Sequence, residues 1–188
     1  MAGTTADPIR FSFDERKAAA AAAYLLSLEG KRMNYMRLLK LLYLAERQSL
    51  ATLRMPIIGD TPFSMDQGPV LSRVYDLIRA NNAVGPWGEV IERDTTYEVR
   101  LKAVPDFGAL SDAEIALLRQ ASELYRTHDQ WALSDMTHDF PEWEDPNGSS
   151  IEIPLERILQ AFNKTEDEVE CVRQNAREHV YFDHLFRG

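Results

Sequence analysis

Residue types that could carry acid–base or metal chemistry are concentrated between residues 128 and 139. His128 and His138 lie there together with Asp129, Asp135 and Asp139. Imidazole and carboxylate groups can bind a divalent cation or form a general-base pair. The spacing matches neither HExxH nor another ligand motif. A hydrolase that uses His128, His138, Asp135 and Asp139 is therefore one alternative, and structural histidines that hydrogen-bond the backbone are the other.

Other signs of catalysis are missing from the sequence. It contains no GxSxG, P-loop or GxGxxG motif. The single cysteine, Cys171, excludes an internal disulfide and a cysteine-rich zinc site, which fits a reducing cytoplasm. No run of about 18 apolar residues and no export signal is present. These absences predict a cytoplasmic protein that has no membrane contact and needs no cofactor or metal.

The charge of the chain is unevenly distributed. The net charge is −9, but residues 1–80 carry 11 Lys and Arg against 8 Asp and Glu, whereas residues 81–188 carry 10 against 22. An acidic chain disfavours nonspecific nucleic-acid binding, which requires cations to neutralise phosphates. A DNA-binding regulator that uses Arg37, Lys40, Arg47 and Arg54 stays open as a second alternative.

Those four cations lie on the segment around which the chain is organised, Met33 to Arg54. Asn34 is a suitable N-cap, and no Gly or Pro interrupts the run before Pro56. At about 100° per residue, all leucines of the segment except Leu44 cover a broad apolar arc with Tyr35 and Ala45, and the cations fall on the other side, together with Leu44. The pattern predicts a central helix over about 34–54 with several elements packed around it.

Together with this helix, the patterns in the rest of the sequence predict a single, mainly α-helical α+β domain over residues 11–188. Residues 1–10 are expected to form a flexible N-terminus. Capping boxes begin at Ser12, Ser111 and Thr165, and Asp129 is a further N-cap. Pro69 is expected to be the first residue of a third helix, and Pro154 opens another. Alternation over about 88–93 and 96–103 predicts an antiparallel β-hairpin, which the segment at about 57–65 could join as a third strand.

The basic side of the central helix has several possible partners. A solvated face is one interpretation, because charged rows on helices commonly face water. Residues 128–145 offer another, since they contain six Asp and Glu but no Lys or Arg, whereas Lys31 to Arg54 carries six cations and Glu46. The acidic stretch could therefore dock on the helix within the chain. Binding to another protein is the third possibility.

Three segments in this order resemble a known family. They are RLLKLLYLAER at 37–47, then Pro56 to Asp60 continuing through Gly68-Pro69-Val70 to Tyr75, and LSDMTH at 133–138 with Pro141-Glu142-Trp143. Together they resemble the Panacea domain of SocA-like antitoxins, which also occurs in phage-associated proteins. The resemblance spans roughly Asn34 to Leu159.

The resemblance implies an antitoxin that neutralises a cognate protein toxin by direct contact and has no enzymatic activity. Some members are adaptors that deliver the toxin to a AAA+ protease. The oligomeric state is not implied. Residues that match the family motif, and could equally be structural, are Tyr43, Asp60, Gly68, Pro69, Val70, Tyr75, His138, Pro141 and Trp143.

The sequence also suggests a partner-binding surface. Apolar residues on loops and edges commonly form interfaces, which makes Phe63, Met65 and Trp87 candidates. On the basic side of the central helix, the candidate contact residues are Arg37, Lys40, Leu44 and Arg47.

Overall fold

The computed structural model of the chain describes residues 7–80 and 83–187. The first six residues of the predicted flexible N-terminus lie outside this range. Within it, Ile9 is buried, and its N–H donates to Glu156 Oε1 at 2.9 Å. The helices of the described part are α1 Glu15–Leu28, α2 Tyr35–Leu53, α3 Ser72–Arg79, α4 Pro86–Val90, α5 Asp112–Leu124, α6 Gln130–His138, α7 Leu155–Ala161 and α8 Glu166–Arg187. The strands are β1 Arg32–Asn34, β2 Pro62–Met65, β3 Gly68–Leu71, β4 Ile91–Arg93, β5 Glu98–Leu101 and β6 Ile151–Glu152.

Helix α2 is the central element, as its sequence predicts. The Asn34 side chain accepts the N–H of Met36 and caps the helix. α1, α3, α5, α6, α7 and strand β3 all pack against α2. Its leucines at 38, 39, 41, 42 and 50 are almost completely buried. An apolar arc this broad is covered only when neighbours lie on several sides.

Helix α1 is buried more uniformly than its sequence suggests. Its alanines from Ala18 to Ala23 are all buried, because α2, α4 and α5 approach closely around the small side chains. The predicted cap Ser12 is wrong. Asp14 accepts the N–H of Lys17, and Glu15 accepts the N–H of Trp87 instead of reaching back to the helix start.

The first antiparallel sheet has the order β1-β5-β4. Its β4–β5 hairpin confirms the predicted alternation, with Glu92 opposite Arg100. The segment at 57–65 does not join this sheet, because β1 takes the third place and pairs Met33 with Val99; its residues Pro62–Met65 form β2 of the other sheet. Residues 86–90 form helix α4 rather than strand, and Gly85 before Pro86 has the left-handed φ of 105°.

The second antiparallel sheet has the order β3-β2-β6 and corrects the start of the third helix. Pro69 is not helical: it lies in β3 opposite Ser64. α3 begins at Ser72, where the carboxylate of Asp60 accepts the N–H groups of Arg73 and Val74 at 3.0 and 2.9 Å. A capping group from a different segment therefore decides where this helix begins.

The helices of the second half follow their predicted start signals. Ser111 and Glu114 form a reciprocal capping box at the start of α5, and Asp129 caps α6. Thr165 and Glu168 form another capping box at the start of α8. The fold is the predicted mainly α-helical α+β class, with two small sheets beside the helices. In the described residues, no helix is both long and apolar enough to cross a membrane.

Candidate functional site

The turn between β2 and β3 is held by α6 and by the loop that follows α6. Ser134 Oγ donates to the carbonyl of Gln67 at 2.9 Å. Nε2 of His138 lies 3.2 Å from the carbonyl oxygen of Asp66, and Trp143 Nε1 donates to the carbonyl of Met65 at 3.2 Å. The rings of His138 and Trp143 are in contact, with centroids 4.3 Å apart. The predicted motif residues 138 and 143 therefore form one cluster around the turn.

Gly68 in this turn has a steric and conformational requirement for glycine. Its φ is +86°, and a Cβ there would lie 2.5 Å from Thr137 Oγ1 and 2.7 Å from Lys40 Nζ. A left-handed φ disfavours every other residue, and the close approach of α2 and α6 leaves no space for a side chain. Gly68 thus permits the hairpin to lie against both helices.

Lys40 lies inside the protein rather than on a solvated basic side. Its side chain is fully buried, and Nζ donates to the carbonyl of Pro69 at 2.9 Å. Burial lowers the pKa of Lys40 to about 7, because the charged amine loses its hydration. The motif residue Pro69 thus supplies an acceptor to the central helix, and Val70 beside it is buried in the core.

Arg47 forms the centre of a second polar cluster. Its Nε donates to Oε1 of Glu142 at 2.5 Å, and its guanidinium carbon lies 4.2 Å and 4.3 Å from the ring centroids of Phe140 and Phe162. The Glu142 side chain is fully buried and also accepts the hydroxyl of Tyr43 at 2.9 Å. Burial first, and then the nearby Glu142 charge, raises the pKa of Tyr43 well above its usual value. The acidic stretch docks on α2 within the chain at this point.

Arg37 ties three segments together at the other end of α2. Its guanidinium donates to both carboxylate oxygens of Glu29, at 3.0 and 2.7 Å. The same side chain donates to the carbonyls of Tyr125 and His128 just after α5. A cation at that position compensates the unpaired carbonyls of a helix C-terminus.

Two buried carboxylates organise the chain after α2. Glu46 accepts the N–H groups of Ile57, Ile58 and Gly59. Burial is the main reason that its pKa is raised to about 7, and those hydrogen bonds oppose the shift. Burial likewise raises the pKa of Asp60, which orders β2 relative to α3. Sequence reasoning missed Glu46, although a lone acid within the apolar arc of α2 was a usable signal.

The other candidate contact residues differ in exposure. Trp87 and Leu44 are only 2% and 7% exposed, so the expectation that Trp87 is an exposed loop residue is wrong; it packs in the core beside α1. Along β2, the half-buried residues Phe63 and Met65 alternate with the buried residues Pro62 and Ser64. Tyr75 is half-buried near Arg79, and Pro141 is exposed. Contact of these residues with a partner stays a prediction.

Within the described residues, the side chains proposed for the two alternative functions do not come together in one site. In residues 7–80 and 83–187, no group of three His, Cys, Asp or Glu side chains is close enough to hold a metal ion. His128 has its ring against Tyr125, whereas His138 has its ring against Trp143. A DNA-binding face is disfavoured as well, because Arg37 and Lys40 are buried and Arg47 is paired with Glu142. Only Arg54 of that set is exposed.

Comparison with known families gives a match where these clusters lie. The model of the family described as antitoxin SocA-like, Panacea domain, matches residues 38–144. This chain belongs to that family. The match covers more than half of the chain and includes both polar clusters of α2, the β2–β3 hairpin and α6. No curated protein and no solved structure shows significant similarity to the chain.

The Panacea match and the geometry together separate scaffold from surface. Tyr43, Asp60, Gly68, Pro69 and Val70 are buried in hydrogen-bonded or packed positions. Their arrangement fixes the hairpin and the loop after α6 on the central helix. These five residues are thus part of the scaffold, and exposed side chains carried by the scaffold are the groups left accessible to a partner.

Proposed function

We propose that the chain is an antitoxin that binds a cognate protein toxin directly and blocks it stoichiometrically, in the cytoplasm and without a chemical step. The observation that carries the proposal is the match of residues 38–144 to the SocA-like antitoxin family. The buried positions of Lys40 and Glu142, and the pairing of Arg47 with Glu142, support a binding role, because these groups connect segments of the scaffold instead of lining an open catalytic pocket.

The half-exposed β2 residues Phe63 and Met65 are proposed to contribute to toxin contact. β2 is the middle strand of its sheet, so its backbone is already paired and only side chains remain for a partner. Arg37, Lys40, Leu44, Arg47 and Trp87 would act indirectly, by holding the surface in place.

The proposal is tested with the reading frames adjacent to the gene that encodes this chain. Each is expressed alone under an inducible promoter, and any toxic product is then co-expressed with the antitoxin. We expect one neighbour to arrest growth and the chain to restore it. A harmless set of neighbours, or arrest that the chain does not relieve, would overturn the proposal.

Purified components distinguish direct blocking from delivery to a AAA+ protease. Direct blocking predicts a stable complex and inhibition of the toxin at a molar ratio near one, in the absence of ATP and protease. An adaptor would leave the purified toxin active and would lower its abundance only in cells that contain the protease. The second pattern would replace stoichiometric inhibition by adaptor function.

A further inference from the structure

Helix α6 has one outward face that differs from the rest of the acidic stretch. At about 100° per residue, Trp131, Ala132, Asp135 and Asp139 lie within roughly 100° of one another. All four are exposed. The opposite side of α6 is buried through Leu133, Ser134 and Thr137, which face the core and the β2–β3 turn. This outward face is called the α6 face below.

Trp131 is the large apolar residue of the α6 face. Its side chain is 54% exposed, whereas the other tryptophans, Trp87 and Trp143, are buried or half-buried. Within the described part of the chain, the indole ring contacts no other aromatic ring and its Nε1 donates no hydrogen bond. A half-exposed indole on a regular helix is a common anchor in protein interfaces.

Asp135 and Asp139 give the α6 face its charge. Neither forms an ion pair with any described residue, in contrast to Glu142 and Glu144, which pair with Arg47 and Arg157. The segment 128–145 contains no Lys or Arg to compensate them. The face is therefore apolar at one point and negative around it.

This combination selects a cationic partner. Trp131 and Asp135 are one helical turn apart, so their Cβ atoms are separated by about 5–6 Å. An arginine of a partner can stack its guanidinium on the indole and donate two hydrogen bonds to the carboxylate. Lysine can form the ion pair but lacks the planar group for the bidentate contact.

Other occupants fit the α6 face less well. Phosphates of a nucleic acid would be repelled by Asp135 and Asp139. A second copy placed face to face would bring the same carboxylates against one another, in a chain whose net charge is −9. We propose that the α6 face binds an arginine-bearing basic surface of the toxin, with Trp131 as the anchor. This inference rests on the proposed antitoxin function and names the partner chemistry of its contact surface.

The test uses the full chain and the toxin identified by the growth rescue. Two α6 variants, Trp131→Ala and Asp135→Asn with Asp139→Asn, are compared with the wild type for complex affinity and rescue, together with two controls, of which the first is Phe182→Ala. Phe182 is a matched aromatic control, because its side chain is 52% exposed on α8, outside the family match. A control for charge is Asp76→Asn with Glu123→Gln, two exposed acids on α3 and α5.

We expect Trp131→Ala to raise Kd at least about tenfold, as removal of an interface anchor does. The double aspartate variant should lower the association rate and weaken its salt dependence, because exposed charges act mainly on encounter. Both controls should keep wild-type values. Circular dichroism and thermal unfolding check that each variant remains folded.

Separate outcomes address the two proposals. If the wild type rescues growth and both α6 variants bind the toxin as tightly as the wild type, the α6 face is not the contact surface, although the antitoxin function stands. If only Phe182→Ala loses binding, the contact lies on α8 and the inference is overturned. If the wild type does not rescue growth, the antitoxin proposal itself fails.

Discussion

At the scale of single residues, the main result is that charged side chains of the central helix are structural. Arg37, Lys40 and Arg47 each donate to a defined acceptor in another segment, namely the carbonyl of Tyr125, the carbonyl of Pro69 and the carboxylate of Glu142. A buried ion pair does not by itself favour stability over an apolar pair, but removal of one partner leaves a buried charge without compensation. The energetic importance of these residues therefore appears most clearly when one member is changed.

Glu142 should be the most sensitive acid of the stretch 128–145. In Glu142→Ala, Arg47 and the hydroxyl of Tyr43 lose their common acceptor inside the protein. We expect a loss of about 3–5 kcal/mol in the free energy of unfolding, measured by urea denaturation. Glu144→Ala is the matched control. It removes the more exposed pair with Arg157, which should change stability by about 1 kcal/mol or less. Equal effects of the two substitutions would contradict this assignment.

Lys40 should make the free energy of unfolding change with pH in the neutral to alkaline range. The pKa is about 7 in the folded chain and 10.5 in the unfolded chain, so between these values the unfolded chain holds a proton that the folded chain lacks. The free energy of unfolding therefore rises with pH across this window, and the full penalty of the buried charge is present below about pH 7. Lys40→Met should abolish this rise.

The measurement is urea denaturation from pH 6 to pH 10. Lys102→Met serves as the control, because Lys102 Nζ also donates to a backbone carbonyl, that of Gly88 at 2.8 Å, but on the surface. The control should keep the pH dependence of the wild type. A Lys40→Met variant with an unchanged slope would show that another group causes the dependence.

At the scale of elements, short segments depend on groups supplied by other segments. α3 has eight residues and no side-chain cap of its own at Leu71, and the carboxylate of Asp60 takes that role. The loop before β2 is likewise ordered by Glu46 of α2 instead of by strand pairing. Isolated helices and hairpins of this length are marginal in water, so tertiary contacts decide whether they form.

Asp60→Ala should therefore destabilise α3 together with the hairpin before it. The substitution leaves the N–H groups of Thr61, Arg73 and Val74 without their acceptor. We expect a loss of at least about 2 kcal/mol, because several charge-assisted hydrogen bonds are removed at once. Hydrogen exchange should show faster exchange at 62–79 than in α5. Asp76→Ala on the exposed side of α3 is the control, and a similar loss there would refute the capping role.

At the scale of the whole molecule, buried charged groups of both signs join distant segments, with Arg37, Lys40 and Arg173 among the buried cations and Glu46, Asp60, Glu114 and Glu142 among the buried acids. Three cations of α2, Arg37, Lys40 and Arg47, have acceptors inside the fold, and of these Arg47 pairs with Glu142 of the acidic second half. The surface that remains carries most of the excess negative charge, and the α6 face adds an exposed indole to it. A second exposed apolar group, formed by Tyr181, Phe182, Leu185 and Phe186, lies at the end of α8 beyond the family match. Binding experiments with variants at both places compare the two surfaces directly.

The sequence by itself determined the features that depend on neighbouring residues. Periodicity located α2, alternation located the β4–β5 hairpin, and Ser111, Asp129 and Thr165 marked helix starts correctly. The ordered motif segments also identified the family. These signals are local because backbone conformation and the apolar side of an element follow from residues a few positions apart.

Only the tertiary structure decided where the charged side chains end and which apolar side chains remain outside. Lys40 and its acceptor Pro69 are 29 positions apart, and Tyr43 and Glu142 are 99 apart. The helix start at Ser72, the strand at Arg32–Asn34 and the exposure of Trp131 also depend on distant segments. Helical periodicity shows that a basic row lies opposite an apolar arc, but burial of that row depends on which segments fold over it. The position of those segments is a property of the assembled core, not of any local stretch of sequence.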